Sequence, residues 1–155
     1  MIVNAPEFLQ ALKPGEQLVA FDPGTKTIGV ALSDTRRHFA SPVLTLKRGR
    51  FHDAMDEMER ALSGEIIGGF VVGLPLNMDG TSGPRAQAAR AFARNVAERF
   101  EKPVLLWDER LSTATAEDAM IAAGARWAER QARIDAAAAA VILQGALDHL
   151  RTLES

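Results

Sequence analysis

The sequence predicts an α/β fold: a mixed five-stranded sheet that starts as an antiparallel three-stranded meander and is flanked by helices. Three apolar segments, 18–22, 27–33 and 38–47, follow one another closely enough to form the meander. Two more apolar segments, 66–74 and 103–107, each lie between stretches whose apolar residues recur at helical spacing. Strands that alternate with helices after a meander indicate a mixed sheet covered by helices.

The composition limits the chemistry. The 155 residues suit a single domain, in which residues 1–17 form an N-terminal extension. The chain has no Cys, which excludes disulfides, thiolate zinc sites and a cysteine nucleophile. Its three His residues lack the spacing of metal ligands, so any metal is expected to be Mg²⁺ or Mn²⁺ held by oxygen atoms.

Charge and hydropathy bear on the partners. The net charge of −2 gives no global signal for nucleic acid, although it leaves room for a local basic groove. No apolar segment approaches the length of a membrane span, and no secretory leader is visible. The sequence therefore predicts a cytoplasmic protein that does not contact membranes.

The first two strands carry the residue on which the functional interpretation depends. An apolar run ends at Asp22, and Pro23 and Gly24 then favour a tight turn, so the carboxylate lies at the tip of a strand. Gly29, inside the second strand, indicates close approach of another backbone or of a ligand. The alternative is an ordinary hairpin in which Asp22 only caps the turn.

Helices are predicted from apolar periodicity and capping residues. Before the first strand, Asn4 is expected to cap a short helix, and Ser82 is the expected N-cap of a helix over 84–100. A polar connector over 124–133 precedes the last helix, which opens at Asp135. The other two predicted helices cover 51–63 and the stretch from Ser112 or Thr113 to about 122.

Basic residues cluster in two places. The connector 47–50 is either a solvated loop or a phosphate contact. The arginines on the helix over 84–100 are predicted to be solvated; they are Arg85, Arg90, Arg94 and Arg99. The long loop 75–84 before that helix contains several turn-forming residues, and long ordered loops are often functional.

Acidic residues stand at the ends of three predicted elements. Asp22 ends the first strand, Asp108 and Glu109 end the last strand, and Asp135 opens the last helix. Each alone could be a turn residue, a surface acid or a helix cap. Together at one edge of the sheet they would repel one another unless a divalent cation lay between them. That arrangement would support two-metal phosphoryl transfer, in which ions about 3.5–4 Å apart stabilise the attacking and leaving oxygens.

Neighbouring residues refine this hypothesis. Consecutive strand residues face opposite sides, so only one of Asp108 and Glu109 is expected at the site, while the other pairs with Arg110 or caps the following turn. Lys26 and Arg110 flank the acids and could hold a phosphate backbone, or could be ordinary surface charges. Asn77, in the long loop, is a third candidate for contact with the substrate.

Four segments resemble the YqgF/RuvX family, whose members are described as nucleases of pre-16S rRNA and, earlier, as Holliday junction resolvases. The segments are FDPGTKTIGVALSD (21–34), VVGLPLNMDGTSGPRAQAARAFA (71–93), WDERLSTATAE (107–117) and IDAAAAAVILQ (134–144). The resemblance implies a ribonuclease H-like fold in which Asp22, Glu109 and Asp135 bind Mg²⁺ or Mn²⁺. It also favours Glu109 over Asp108 as the site residue.

Two positions depart from the commonest pattern of that family. Pro23 stands where an aliphatic or aromatic residue is usual, and Thr27 stands where Arg is usual. The loss of an Arg at position 27 would weaken a phosphate contact and leave the metal-binding acids intact.

The favoured function is a metal-dependent nuclease that processes the 5′ end of pre-16S rRNA, with structured RNA as its partner. A Holliday junction resolvase acting on branched DNA is the nearest alternative. A resolvase would need two active sites and hence a dimer, whereas the sequence leaves monomer and homodimer open. Further alternatives are an actin-like ATP-binding phosphotransferase and a noncatalytic RNA-binding module of ribosome assembly.

Overall fold

Six strands form one sheet within residues 1–111 and 127–154, which the computed structural model describes. In chain order they are β1 (Ile2–Val3), β2 (Gln17–Pro23), β3 (Thr27–Ser33), β4 (Ala40–Lys47), β5 (Ile67–Leu74) and β6 (Val104–Asp108). Their order across the sheet is β1-β6-β5-β2-β3-β4. The predicted meander is confirmed, because β2, β3 and β4 are antiparallel neighbours, while β1, β6, β5 and β2 pair in parallel.

The predicted count of five strands is wrong by one. The additional strand is β1, which lies in the N-terminal extension and pairs with β6 through Ile2↔Val104 and Val3↔Leu105. A strand of two residues is too short to show an alternating pattern, and its partner is remote in the chain. No local pattern therefore indicates this strand.

Four α-helices lie in the same described part of the chain: α1 (Ala5–Ala11), α2 (Phe51–Ala61), α3 (Pro84–Phe100) and α4 (Trp127–Leu153). A 3₁₀ turn, Glu109–Leu111, follows β6 directly. The predicted cap of α1 is confirmed, because the Glu7 N–H donates to Asn4 Oδ1 at 2.9 Å and the Asn4 N–H donates to Glu7 Oε1 at 3.3 Å. None of the helices described is both long and apolar enough to cross a membrane.

One predicted N-cap and one predicted helix start are wrong, while the predicted range 84–100 of α3 is confirmed. The N-cap of α3 is Gly83 rather than Ser82, whose Oγ accepts a hydrogen bond from Arg90 at 2.8 Å. The last helix, α4, begins at Trp127, so Asp135 lies within the helix rather than at its start. The predicted connector 124–133 is wrong from residue 127 onwards, because its Ala, Glu, Gln and Arg residues favour helix. The helix predicted from Ser112 or Thr113 lies outside the described residues.

Different helices cover the two faces of the sheet. On one face Phe92 from α3 packs edge-on against Phe21 of β2, with ring centroids 5.3 Å apart. On the other face Leu143 from α4 belongs to a buried cluster with Ala20 of β2. Because strand residues alternate between faces, Asp22 belongs to the face that α4 covers.

The prediction that Arg99 is solvated is wrong. Its side chain is only 16% exposed, and it joins α3 to α2 by donating to Asp56 Oδ1 at 2.6 Å and to Glu59 Oε1 at 2.5 Å. The hydrogen bond from the Arg99 guanidinium stabilises the ionised form of Asp56 and so lowers the pKa of that carboxyl group. Arg99 therefore belongs to the packing of the helices on the face away from Asp22.

Candidate active site

Asp22 and Glu109 are brought into contact from two strands that are not neighbours. Asp22 lies near the end of β2, and Glu109 is the first residue after β6, with β5 between these strands in the sheet. The two carboxyl groups share a hydrogen bond. They can meet across β5 because its residue at this point is Gly73: a Cβ there would lie 2.5 Å from Glu109 Oε1. The missing side chain is therefore what leaves room for the acid pair.

The environment of the pair changes the protonation of Glu109. Burial, followed by the hydrogen bond and the negative charge of Asp22, raises the pKa of Glu109 to about 9, while the positive charge of Arg85 acts in the opposite direction. A raised pKa means that the second negative charge is unfavourable without a compensating cation. At neutral pH and without a cation, Glu109 would therefore keep its proton.

The backbone of Asp135 lies against β3, beside the strand that carries Asp22. A Cβ on Gly29 would lie 1.9 Å from the backbone oxygen of Asp135, so α4 packs directly on β3 at this point. This confirms that Gly29 marks the close approach of another backbone. Gly29 is the ladder partner of Asp22, which puts Asp135 at the same place on the sheet. The side chain of Asp135 is held by Thr27, whose Oγ1 donates to Asp135 Oδ2 at 2.7 Å.

The donor set fits a hard divalent cation in part. Two carboxylates in contact offer the oxygen ligands that Mg²⁺ and Mn²⁺ prefer. Within residues 1–111 and 127–154, however, no three acidic or His side chains stand close enough together to hold one ion. The structure thus brings Asp22 and Glu109 together and leaves the carboxylate of Asp135 with Thr27.

Of the two adjacent acids at the end of β6, Asp108 and Glu109, only Glu109 reaches Asp22. Asp108 turns instead to Arg110, whose Nη2 and Nε donate to Asp108 Oδ2 at 2.6 and 2.9 Å. This hydrogen bonding holds the pKa of Asp108 below its usual value. The expected alternation is therefore seen, and the guanidinium of Arg110 already has a protein partner.

Arg110 and Asn77 both contribute to the order of the long loop. Arg110 Nη1 approaches the backbone oxygen of Met78 at 3.4 Å. Asn77 Nδ2 donates to Thr81 Oγ1 at 3.0 Å, and the Asn77 N–H donates to the Thr81 oxygen at 2.9 Å. Lys26 is exposed in the turn between β2 and β3, and its backbone oxygen accepts from the Arg48 N–H at 2.9 Å.

Sequence reasoning missed three residues of this site. Gly73 could have been found by the argument used for Gly29, because both interrupt buried apolar strands. Arg85 was classed with the solvated arginines, although its charge acts on Glu109. Thr27 was regarded only as the loss of an Arg, and its bond to Asp135 depends on a contact between distant parts of the chain.

The mixed sheet, its helices and the acids at one strand edge define a ribonuclease H-like domain. RuvC of T. thermophilus, solved in complex with a Holliday junction substrate, has the same fold with a TM-score of 0.51 at 15% identity, over 86% of this chain and 94% of that one. The family model described as "RuvX: Holliday junction resolvase" matches residues 16–149, and the chain belongs to this family.

Curated relatives agree with that assignment. Proteins from Sphingopyxis alaskensis, Agrobacterium fabrum and Chelativorans sp. are 56%, 48% and 49% identical over 93%, 95% and 99% of this chain. The matches cover 94%, 92% and 96% of those proteins, and each is named "Putative pre-16S rRNA nuclease". Both the family and its members are described as enzymes that cleave phosphodiester bonds, so the predicted enzyme class is confirmed.

Proposed function

We propose that this protein is a divalent-metal-dependent nuclease that processes the 5′ end of pre-16S rRNA. The names of its relatives support the substrate, and their similarity extends over nearly the whole chain. The observation that carries the chemical part is the contact between the carboxyl groups of Asp22 and Glu109. Two acids held together at the end of a sheet are an arrangement that a hard cation would stabilise.

The proposed ligands of Mg²⁺ or Mn²⁺ are Asp22, Glu109 and Asp135. Bound cations would neutralise the charge of the phosphodiester and activate the attacking water. Asp22 and Glu109 would provide a pair of oxygen donors, and a bound cation would favour the ionised form of Glu109. Thr27 orients the carboxylate of Asp135 toward the same edge of the sheet.

Lys26 is proposed to contact the substrate directly, whereas Asn77 and Arg110 are proposed to contribute to substrate binding through the loop 75–84. Lys26 offers an exposed charge in the turn directly after Asp22. Arg110 acts through Asp108 and the loop at Met78, so its contribution is to hold this loop beside the acid pair. Asn77 shapes the same loop through Thr81.

The second candidate function is cleavage of a Holliday junction, because the family model carries that description. Symmetric cleavage of a four-way junction needs two active sites, and hence a homodimer. Trimming of one RNA strand needs only one site and is compatible with a monomer. Since ribosomal RNA matures where it is transcribed, the rRNA substrate corresponds to a cytoplasmic enzyme.

A matched cleavage assay tests these functions. The substrates are an RNA with the 5′ end of precursor 16S rRNA and a synthetic four-way DNA junction, each incubated with Mg²⁺, Mn²⁺ or EDTA. We expect metal-dependent cleavage of the RNA, lost in Asp22→Asn and retained in Asp148→Asn, an exposed acid on α4 that serves as the matched control.

Other results of these assays would favour one of the alternative functions. Symmetric cleavage of the junction alone, by a dimer, would replace the rRNA substrate with branched DNA. Cleavage that Asp22→Asn leaves unchanged would remove the acid pair from the mechanism. Metal-independent binding of RNA without any cleavage would indicate a noncatalytic module, and ATP binding seen by calorimetry would indicate a phosphotransferase.

A further inference from the structure

A cleft of about 270 Å³ lies between the start of α2 and the outer side of α3. Its walls are formed by Phe51, Phe92, Ala88 and Ala91, and its polar groups are those of Arg48 and Asn95. This volume is below the range of about 300–1,000 Å³ that is usual for sites of drug-sized ligands. The cleft, which we call the base cleft, is therefore suited to one small ring system.

The base cleft lies at the same edge of the sheet as the acid pair. Ile28 lines it and is the ladder partner of Pro23, whereas the next residue, Gly29, is the partner of Asp22 and faces α4. The sheet itself and the turn over 24–26 thus separate the cleft from Asp22. A nucleic-acid strand that bends over this turn would pass both places.

Arg48 connects the two places physically. Its Nη1 donates to the backbone oxygen of Gly24 at 2.6 Å, and its guanidinium carbon lies 5.9 Å from the centre of the Phe92 ring. The connector at 47–50 is therefore not simply a solvated loop, as one of its two interpretations held. An occupant of the cleft would contact a residue that holds the turn following Asp22.

The chemistry of the walls matches a nucleobase. Phe51 is half-buried and stands nearly perpendicular to Phe92, with ring centroids 5.6 Å apart, so the two rings form an aromatic corner. Asn95 is exposed and offers both a donor and an acceptor for the edge of a base. Among the described residues that line the cleft, none is acidic, so the phosphates beside a bound base would meet no repulsion from its walls.

We propose that the base cleft binds an unpaired nucleobase of the strand whose backbone passes the acid pair. Phe51 provides the stacking surface, Asn95 contacts the edge of the base, and Arg48 contacts the base or its adjoining phosphate. The exposed side chain of Lys26 lies on the turn between the two places and would contact the backbone there. This inference rests on the proposed nuclease function, because it assigns a binding site for a base of the strand that is cleaved.

The test uses the full chain and single-stranded RNA hexanucleotides that carry 2-aminopurine at each position in turn, with Ca²⁺ present and the RNA checked for cleavage. We expect the fluorescence of 2-aminopurine to change on binding at one or two positions only. Ala88→Trp fills the cleft from an exposed position and should abolish that signal and weaken binding about 5- to 100-fold. Gln87→Trp, at the exposed neighbouring position outside the cleft, should leave both unchanged.

A second variant tests the same site in case Ala88→Trp fails to fold. Phe51→Leu retains an apolar wall but removes the aromatic face, and should weaken binding at least several-fold with the position-specific signal lost. Three results would each contradict the proposed base-binding site: equal fluorescence changes at all positions of the RNA, no binding at all, or a position-specific change that persists in Ala88→Trp. If the unmodified protein does not cleave the precursor RNA in the assay described above but still gives the position-specific signal, the proposed nuclease function is wrong and the proposed base-binding site stands.

Discussion

Thr27 Oγ1 donates a 2.7 Å hydrogen bond to Asp135 Oδ2 and so ties β3 to α4 beside the acid pair. Thr27→Val keeps the shape of the side chain but removes the donor. We expect metal-dependent cleavage to fall about tenfold or more, the usual effect of losing a residue that orients a metal ligand. The free energy of unfolding should fall by about 1 kcal/mol. Thr27→Ser, which keeps the hydroxyl, is the matched control, and equal rates for the two variants would contradict the positioning role.

Glu109 should destabilise the protein in EDTA as the pH rises. Its folded-state pKa of about 9 lies above the usual carboxyl value, so its contribution to stability is fully present below that value and is lost as the pH rises toward 9. Glu109→Gln cannot lose a proton. We expect its Tm in EDTA to exceed that of the unmodified protein by several degrees at pH 8.5 and by little at pH 5.

Asp108→Asn is the contrasting variant in the same measurement. The pKa of Asp108 is lowered by its hydrogen bond to Arg110, so removing its charge should lower the Tm at neutral pH rather than raise it. A lower Tm for Glu109→Gln at pH 8.5 would show that the carboxyl group of Glu109 is stabilised by its surroundings.

The turn between β3 and β4 depends on the ionisation of Asp34. Its Oδ1 accepts from the N–H groups of His38 and Phe39 at 2.8 and 3.0 Å. Burial alone would raise the pKa of Asp34, but the hydrogen bonds from Phe39 and His38 outweigh burial and lower it. A lowered pKa stabilises the fold above the unfolded-state value, and this stabilisation is lost as the pH falls through the folded-state value.

Asp34→Ala tests that contribution. We expect urea denaturation at pH 7 to show a loss of about 1 kcal/mol, as for other side chains that cap backbone N–H groups. The difference from the unmodified protein should shrink as the pH is lowered toward 3. A difference that stays constant over this range would mean that the charge of Asp34 makes no contribution.

Local patterns were enough to predict most of this fold. The meander follows from three adjacent apolar segments, and the cap at Asn4 follows from residues within one turn of helix. The pairing of β1 with β6 could not be predicted, because two residues carry no periodicity and the partner is distant. The start of α4 was missed because Asp135 was interpreted as a cap, although the residues before it also favour helix.

The site shows the same division between local and long-range information. Asp22 and Glu109 were predicted as acids at strand ends. Their contact depends on Gly73, and the position of Gly73 between them follows from the pairing of β5 with β2 and β6, which local sequence patterns do not show. Asp135 was predicted at the same edge of the sheet, and the bond of its carboxylate to Thr27 could not be predicted, because it joins residues 108 positions apart. Propensity and periodicity give the element on which a residue lies, but not the partner that its side chain finds.

Gly73→Ala is the most direct test of how the acid pair is accommodated. A Cβ at this position would lie 2.5 Å from Glu109 Oε1 and 2.8 Å from Ile142 Cδ1, so the carboxyl group of Glu109 must shift from its position beside Asp22. We expect metal-dependent cleavage to fall at least 100-fold, because a displacement of about 1 Å in a reacting site can cost that much.

Gly69→Ala, on the same strand and facing the same side, would place its Cβ 3.0 Å from the Phe8 ring. It should lower the Tm by a comparable amount yet leave cleavage of the folded protein close to normal. If both variants lose stability and cleavage in parallel, Gly73 serves the packing of the sheet and not the acid pair.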